Sequence, residues 1–190
     1  ISRGNPDLEP RVSTNLDLSV EYYFDGGDSL FSVAVFNKSI EDEIFDLQTI
    51  TTEQAFFGTL EDPTNDRQVF ISQPDNGGEA TITGLEIGLI KDRLDFLPGP
   101  LADLGVSANL TLNSGEFDLL DSDGTVLRTV DPEGLSERLA NVTVYYEGER
   151  FSARAAWRYA SEQTQSLSLD GSSDLILDDY QQTDLQFGYD

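Results

Sequence analysis

The sequence predicts an all-β chain, a partial antiparallel up-and-down β-barrel of the transmembrane kind. Three observations lead there. Seven stretches carry an apolar residue at every second position, which gives each strand one apolar and one polar face. The connections between them run short, long, short, long, short, long. Aromatic residues gather at the short-turn end. A sheet crossing a bilayer, with tight turns on one side, long loops on the other and aromatic rings at the headgroup level, has all three properties.

Composition removes other classes. The 190 residues carry a formal charge of −25, so the phosphates of nucleic acid would repel the chain. There is no Cys, His or Met. Thiol and imidazole catalysis and the ordinary zinc sites are therefore closed to it. No acid–base pair of carboxylates or serine triad stands out, so no enzyme, cofactor or metal site is expected. No run approaches the roughly 20 apolar residues of a spanning helix. The first residue is not Met and the chain stops abruptly at Tyr189-Asp190, as a fragment would. One partial barrel domain over residues 1–190 is expected.

Residues 1–12 hold Pro6 and Pro10 and read as a loop. The first strand covers about 13–24, with Leu16, Leu18, Val20 and Tyr22 on one face and Asn15, Asp17, Ser19 and Glu21 on the other. Asp25-Gly26-Gly27-Asp28 is a turn by composition. The second strand, about 29–41, carries Phe31, Val33 and Val35. If Phe24 and Ser29 flank the turn, Tyr22 faces Phe31, Val20 faces Val33 and Leu18 faces Val35. The apolar residues of both strands then share one face, as a correct register requires. Phe36, opposite Asp17, is the exception on the polar side.

A long loop is expected over 42–78. The third strand, 79–93, presents Thr83, Leu85, Ile87 and Leu89 against Ile82, Gly84, Glu86 and Gly88. A short proline-rich connection around Phe96-Leu97-Pro98-Gly99-Pro100 leads to the fourth, 104–116, with Val106, Ala108, Leu110 and Leu112. After a second long loop, 118–135, the fifth strand, 136–147, shows Val142, Val144 and Tyr146. Glu147-Gly148-Glu149-Arg150 turns the chain into the sixth, 150–161, with Phe151, Ala153, Ala155, Trp157 and Tyr159. A four-residue turn sets Tyr146 opposite Phe151 and Thr143 opposite Arg154. A third long loop, 162–177, precedes the seventh strand, 178–190, with Leu185, Phe187 and Tyr189 opposite Asp184, Gln186 and Gly188.

Alternation alone also suits a soluble sandwich, whose apolar face turns inward. The aromatics favour the membrane. Tyr22, Phe31, Tyr146, Phe151, Phe187 and Tyr189 lie on the apolar face near the short turns and are candidate interface residues. Lys38, Glu86, Arg154, Arg158, Asp17 and Asp184 point to the polar face. In a barrel they would line the lumen, as plug or substrate contacts. The segments 42–78, 118–135 and 162–178 hold 17 acidic residues against two basic ones, Arg67 and Arg128. Solvation is the plain reading of that charge; repulsion of anionic ligands or recruitment of cations is the sharper one. Asp121-Ser122-Asp123-Gly124-Thr125 resembles the start of a calcium loop, but Pro132 stands where the ligating Glu belongs, and it reads as a turn. The sequons at Asn109 and Asn141 fall inside strands.

Three groups of residues resemble TonB-dependent outer-membrane receptors. Asn5-Pro6-Asp7-Leu8-Glu9-Pro10, followed by Ser13-Thr14-Asn15-Leu16-Asp17-Leu18 and Glu21-Tyr22-Tyr23-Phe24, resembles a segment of their barrels, with Arg11 where Glu is usual. Ala80-Thr81-Ile82-Thr83-Gly84-Leu85-Glu86 resembles a recurrent strand, with Ile87 where Leu is frequent. Leu97-Pro98-Gly99-Pro100-Leu101 with Gly105-Val106-Ser107-Ala108-Asn109 looks like the alphaproteobacterial and xanthomonad branch. The resemblance implies about seven late strands of a barrel of 22, plugged by an N-terminal domain absent from this stretch. It implies import of a scarce large nutrient (ferric siderophore, cobalamin or oligosaccharide) across the Gram-negative outer membrane. The implied partners are outer-membrane lipid, the nutrient and, through the missing N-terminal region, the TonB complex. The long loops would be extracellular. A secreted sandwich binding carbohydrate or calcium, and a passive porin, are the alternatives.

Overall fold

The computed structural model describes residues 1–52, 68–120 and 125–189, with the side chains of Gln48 and Ile50 left aside. The calcium-loop residues Asp121 to Gly124, and Arg67, lie outside the described residues. Twelve strands are described: β1 Val12–Phe24, β2 Ser29–Glu41, β3 Ile44–Thr52, β4 Gln68–Asn76, β5 Ala80–Lys91, β6 Leu104–Leu120, β7 Val126–Val130, β8 Arg138–Glu147, β9 Phe151–Ala160, β10 Gln163–Ser168, β11 Leu175–Leu177 and β12 Tyr180–Tyr189.

Seven of them form one antiparallel sheet in the order β1-β2-β5-β6-β8-β9-β12, each joined to its neighbour in the chain's own up-and-down sequence, with β7 added to the end of β6. Every ladder keeps the alternation in phase. Tyr22 faces Phe31, Phe31 faces Leu89, and Leu89 faces Ala108. Ala108 faces Val142, Val144 faces Ala155, and Ala155 faces Leu185. One apolar face therefore runs unbroken across seven strands. In a sandwich that face would be the core. Here no described residue packs against it: Leu18 is 66% exposed, Leu185 66% and Tyr189 78%. The sandwich alternative is overturned by that exposure.

The turns explain the registers. Asp25 (φ 54°), Gly26 (φ 76°) and Gly27 (φ 109°) occupy left-handed backbone, which glycine adopts without steric cost. They close β1 on β2 with Phe24 opposite Ser29, the pairing expected. The β8–β9 hairpin differs from expectation by two residues. Gly148 N–H donates to the Phe151 carbonyl at 2.9 Å, so only Glu149 and Arg150 form the turn. Tyr146 then faces Ala153, Tyr145 faces Arg154 and Thr143 faces Ala156. A shift of two leaves every side chain on its original face, so alternation cannot detect it.

The expected long loops need correction too. Residues 42–78 contain β3 and β4, 118–135 contain the end of β6 and all of β7, and 162–177 contain β10 and β11. β6 runs to Leu120, past the predicted 116. Four of the extra strands build a second sheet, β11-β10-β3-β4, at the end opposite the short turns, while β7 lengthens the large sheet beside β6. The second sheet, with β7 and the segment through Gly134 that bond to it, is called the cap below. The described buried hydrophobics are Phe45, Val69, Ile71, Ala80, Phe117, Leu119 and Leu167. None belongs to the apolar face of the large sheet. Phe45 and Leu167 come from the cap, whereas Ala80, Phe117 and Leu119 sit at polar-face positions of the rim. They form one cluster, with Phe45 edge-on to Phe117 at 5.6 Å.

Candidate functional site

The polar face of the large sheet gathers every charged residue expected on it, because the ladders keep Asp17, Lys38, Glu86, Arg154, Arg158 and Asp184 in phase. It does not gather them into one cluster. Lys38, near the cap end of β2, lies across from Asn15 and Ile82, and its ammonium sits 5.3 Å from the Phe36 ring. Asp17 is opposite Phe36. Glu86 stands between Ala34 and Thr111 in the middle of the sheet. None of these three touches another.

The two arginines differ in their surroundings. Arg158 donates to Gln182 Oε1 and, at 3.3 Å, to the Tyr180 hydroxyl, and its guanidinium lies 5.6 Å from that ring. Gln182 Nε2 in turn donates to Asp184 Oδ1 at 2.9 Å. Arg158, Tyr180, Gln182 and Asp184 are thus a connected polar network across β9 and β12, which fixes the guanidinium. Arg154 has no hydrogen-bond, ion-pair or ring partner among the described residues. It opens onto a groove of about 470 Å³ on the same face, together with Ser107, Thr143, Tyr145, Ser152, Gln186 and Glu147. A guanidinium with open donors among hydroxyl and amide groups can donate bidentately to a carboxylate or phosphate, against the like charge of Glu147.

Close packing under the ladder shapes this face. Phe36, the exception to alternation, has its ring over Gly84, where a Cβ would fall inside the ring. Tyr145 covers Gly105 in the same way. Strand glycines here make room for an aromatic from the neighbouring strand.

Sequence reasoning missed the ion pairs at both ends. At the short turns Lys91 pairs with Asp25 and, at 3.4 Å, with Asp95, while Arg93 pairs with Asp103. The Lys91 bond holds the Asp25 carboxyl below its usual range. In the cap Arg128 pairs with Asp174, whose Oδ1 also accepts from the backbone N–H (2.8 Å) and hydroxyl (3.0 Å) of Ser168. Burial pushes the Asp174 carboxyl up; Arg128 and Ser168 outweigh it, and the net shift is downward. Glu133 moves the other way: burial raises it, against help from the Asp46 and Leu167 amides, and Asp46 and Glu43 add like charge. Only the Arg128 signal was visible in sequence, as a basic residue in an acidic loop.

The candidate interface aromatics form two contacting groups on the apolar face. Tyr22 faces Phe31 across the first hairpin. Phe151 lies 6.1 Å from Tyr146 and 6.4 Å from Phe187, and it pairs with Tyr189. Toward the cap, Trp157 and Tyr159 stack at 6.1 Å. The six to eight residues from Phe151 to that pair span roughly 20–26 Å along the strand at about 3.3 Å each.

No curated protein matches the chain. Solved structures match it in fold. The siderophore receptor PirA from Acinetobacter baumannii aligns at 17% identity and TM-score 0.56, over 99% of this chain and 27% of that one. The ferric-catecholate import receptor Fiu from E. coli K12 aligns at 17% and 0.60, over 98% and 22%. A mutant of the ferric enterobactin receptor PfeA from Pseudomonas aeruginosa aligns at 21% and 0.56, over 99% and 25%. The chain thus spans about a quarter of each neighbour's length. A family model described as TonB dependent receptor-like, beta-barrel, matches residues 1–190, and with the whole length matched the chain belongs to that receptor family, whose members and structural neighbours are receptors and transporters rather than enzymes.

Proposed function

We propose that this chain is a sector of the barrel of a TonB-dependent transporter that takes up a scarce, large nutrient across the Gram-negative outer membrane. The observation that carries the reading is the uncovered apolar face, continuous over seven paired strands and backed by a charged face. Water would penalise that surface; lipid would not, and strands closed edge to edge leave no backbone group unpaired in it. The aromatic groups near the short turns lie on the apolar face, where such barrels carry an interface girdle. We assign them to the membrane interface on that side.

In this reading the cap stands outside the cell and the short turns face the periplasm. The polar face lines the lumen, and energy arrives from the TonB complex through a plug outside this stretch. Arg154 is the first choice for a plug or nutrient contact, because its donors are open, whereas Arg158, Gln182 and Asp184 hold one another. Lys38, Glu86 and Asp17 are lumen wall. The names of the structural neighbours favour a ferric siderophore among the candidate nutrients, and the Leu97–Leu101 motif favours the alphaproteobacterial and xanthomonad branch. Fractionation of cells expressing the full-length protein tests the placement. Recovery in the outer membrane, with uptake lost in a TonB-deficient strain, is expected. Recovery in the soluble periplasm would overturn it.

A further inference from the structure

The cap is built from three connections that leave the large sheet at different places. β3 and β4 belong to the connection between β2 and β5. Arg128 and Glu133 lie between β6 and β8, and β10 and β11 lie between β9 and β12. Independent loops would be held only by contacts within themselves. These have ladders of their own, β3 on β4 and β10 on β11, and are bonded to one another as well.

β10 pairs in parallel with β3, Leu167 beside Leu47, which ties the third connection to the first. Arg128 donates to the Ser168 carbonyl at 3.2 Å and pairs with Asp174, and the Gly134 N–H donates to the Thr164 carbonyl at 2.8 Å. Those bonds tie the second to the third. The root is fastened as well: Gly78 N–H donates to the Asp118 carbonyl at 2.8 Å, and Asp118 N–H to the Glu79 carbonyl at 3.1 Å. Above it, Phe45 of the first connection and Leu167 of the third share the buried cluster with Phe117 and Leu119 of β6. Lifting any one connection exposes the side chains that the other two cover.

We propose that the described parts of the three connections open and close as one cooperative body anchored to the β5–β6 rim, so that a contact made by any one is felt by the other two. The coupling lies in shared packing, where energetic effects of neighbours fail to add. It does not depend on the transport reading, which supplies only what the body stands over.

Hydrogen exchange by mass spectrometry on the full-length receptor in detergent tests it, with the Arg128→Ala variant beside wild type. Among the described residues Arg128 bonds to Ser168 and Asp174. If the cap is one body, exchange rises about tenfold, the scale of one lost charge-assisted bond, in residues 163–177 and equally in 44–52 and 68–76, which Arg128 does not bond. The β8 and β9 strands keep their rates. A rise confined to 126–130 and 163–177, with 44–52 and 68–76 unchanged, would overturn the proposal. So would amides in 44–52 and 68–76 that exchange at unprotected rates in wild type. Asp174→Asn keeps the side-chain volume and reads the same way if the alanine variant fails to assemble.

Discussion

The large sheet and the cap both bear apolar side chains on their strands and use them in opposite ways. In the large sheet the apolar side chains point out and meet no protein: Leu18, Leu110 and Leu185 are exposed. In the cap Phe45, Val69, Ile71 and Leu167 point in and are buried, while Phe70 and Leu175 to Leu177 stay exposed. The difference teaches that periodicity reports a two-faced surface, not which face is the solvent's. What decides is whether a second layer exists to cover the apolar side. The cap has one, folded down over Phe117 and Leu119; among the described residues the large sheet has none, which is the condition of a wall facing lipid.

Substitutions can break that contrast, beginning with the largest effect. Phe117→Ala should destabilise the receptor by about 3–5 kcal/mol, the cost of an emptied aromatic site, whether measured in detergent or in lipid, because the cap core is a protein core. Leu110→Arg, on the apolar face in the middle of β6, should cost about 2–4 kcal/mol in bilayers by reversible denaturant titration. The neighbouring Thr111→Arg should cost well under half of that. Equal costs at the two positions would show that the faces are not distinct. Gly84→Ala should cost about 1–3 kcal/mol by forcing the Phe36 ring aside, with Phe36→Ala in the same chain restoring most of the loss.

The smallest effects are those of pH on the cap, and they have opposite signs at its two carboxyls. Asp174 has a lowered folded pKa, so its stabilising contribution is complete above the ordinary carboxyl value of about 4 and disappears as pH falls through the folded value beneath it. Glu133 has a raised folded pKa. The groups around it are Asp46 and Glu43, the latter paired with Arg11 at 2.9 Å. The folded state binds the Glu133 proton more tightly, so stability declines as pH rises from the ordinary glutamate value, about 4.3, through the raised one. Exchange protection of 44–52 and 68–76 should therefore peak in mild acid. Asp174→Asn should flatten the acid limb and Glu133→Gln the other. An unchanged profile in both variants would remove these carboxyls from the account.

Much of the large sheet was legible because its signals are local. Strand alternation, Asp25-Gly26-Gly27-Asp28 and the aromatics near each short turn lie within a few residues of one another. The β8–β9 register was not legible, because a shift of two leaves Tyr145 and Arg154 on the same face. The cap was hidden for a different reason. Its strands are short, lie among acidic residues, and depend on pairings distant in sequence, such as Leu47 with Leu167. A trace was present: Ile40, Ile82, Phe117 and Leu119 are apolar at positions whose phase is polar, all near the cap end. The candidate polar-face residues share one phase of the ladders, but the distinction between Arg154 and Arg158 needed Tyr180 and Gln182 on a neighbouring strand.

The central claim is that one face of β6 meets lipid and the other water. These 190 residues hold no Cys, so single cysteines can be introduced at 106 to 112 in the full-length receptor, with any Cys outside this stretch replaced, labelled with an environment-sensitive fluorophore and reconstituted with brominated lipid. The account predicts strong quenching at 106, 108, 110 and 112 and little at 107, 109 and 111. Quenching at the odd positions, or at none, would contradict it.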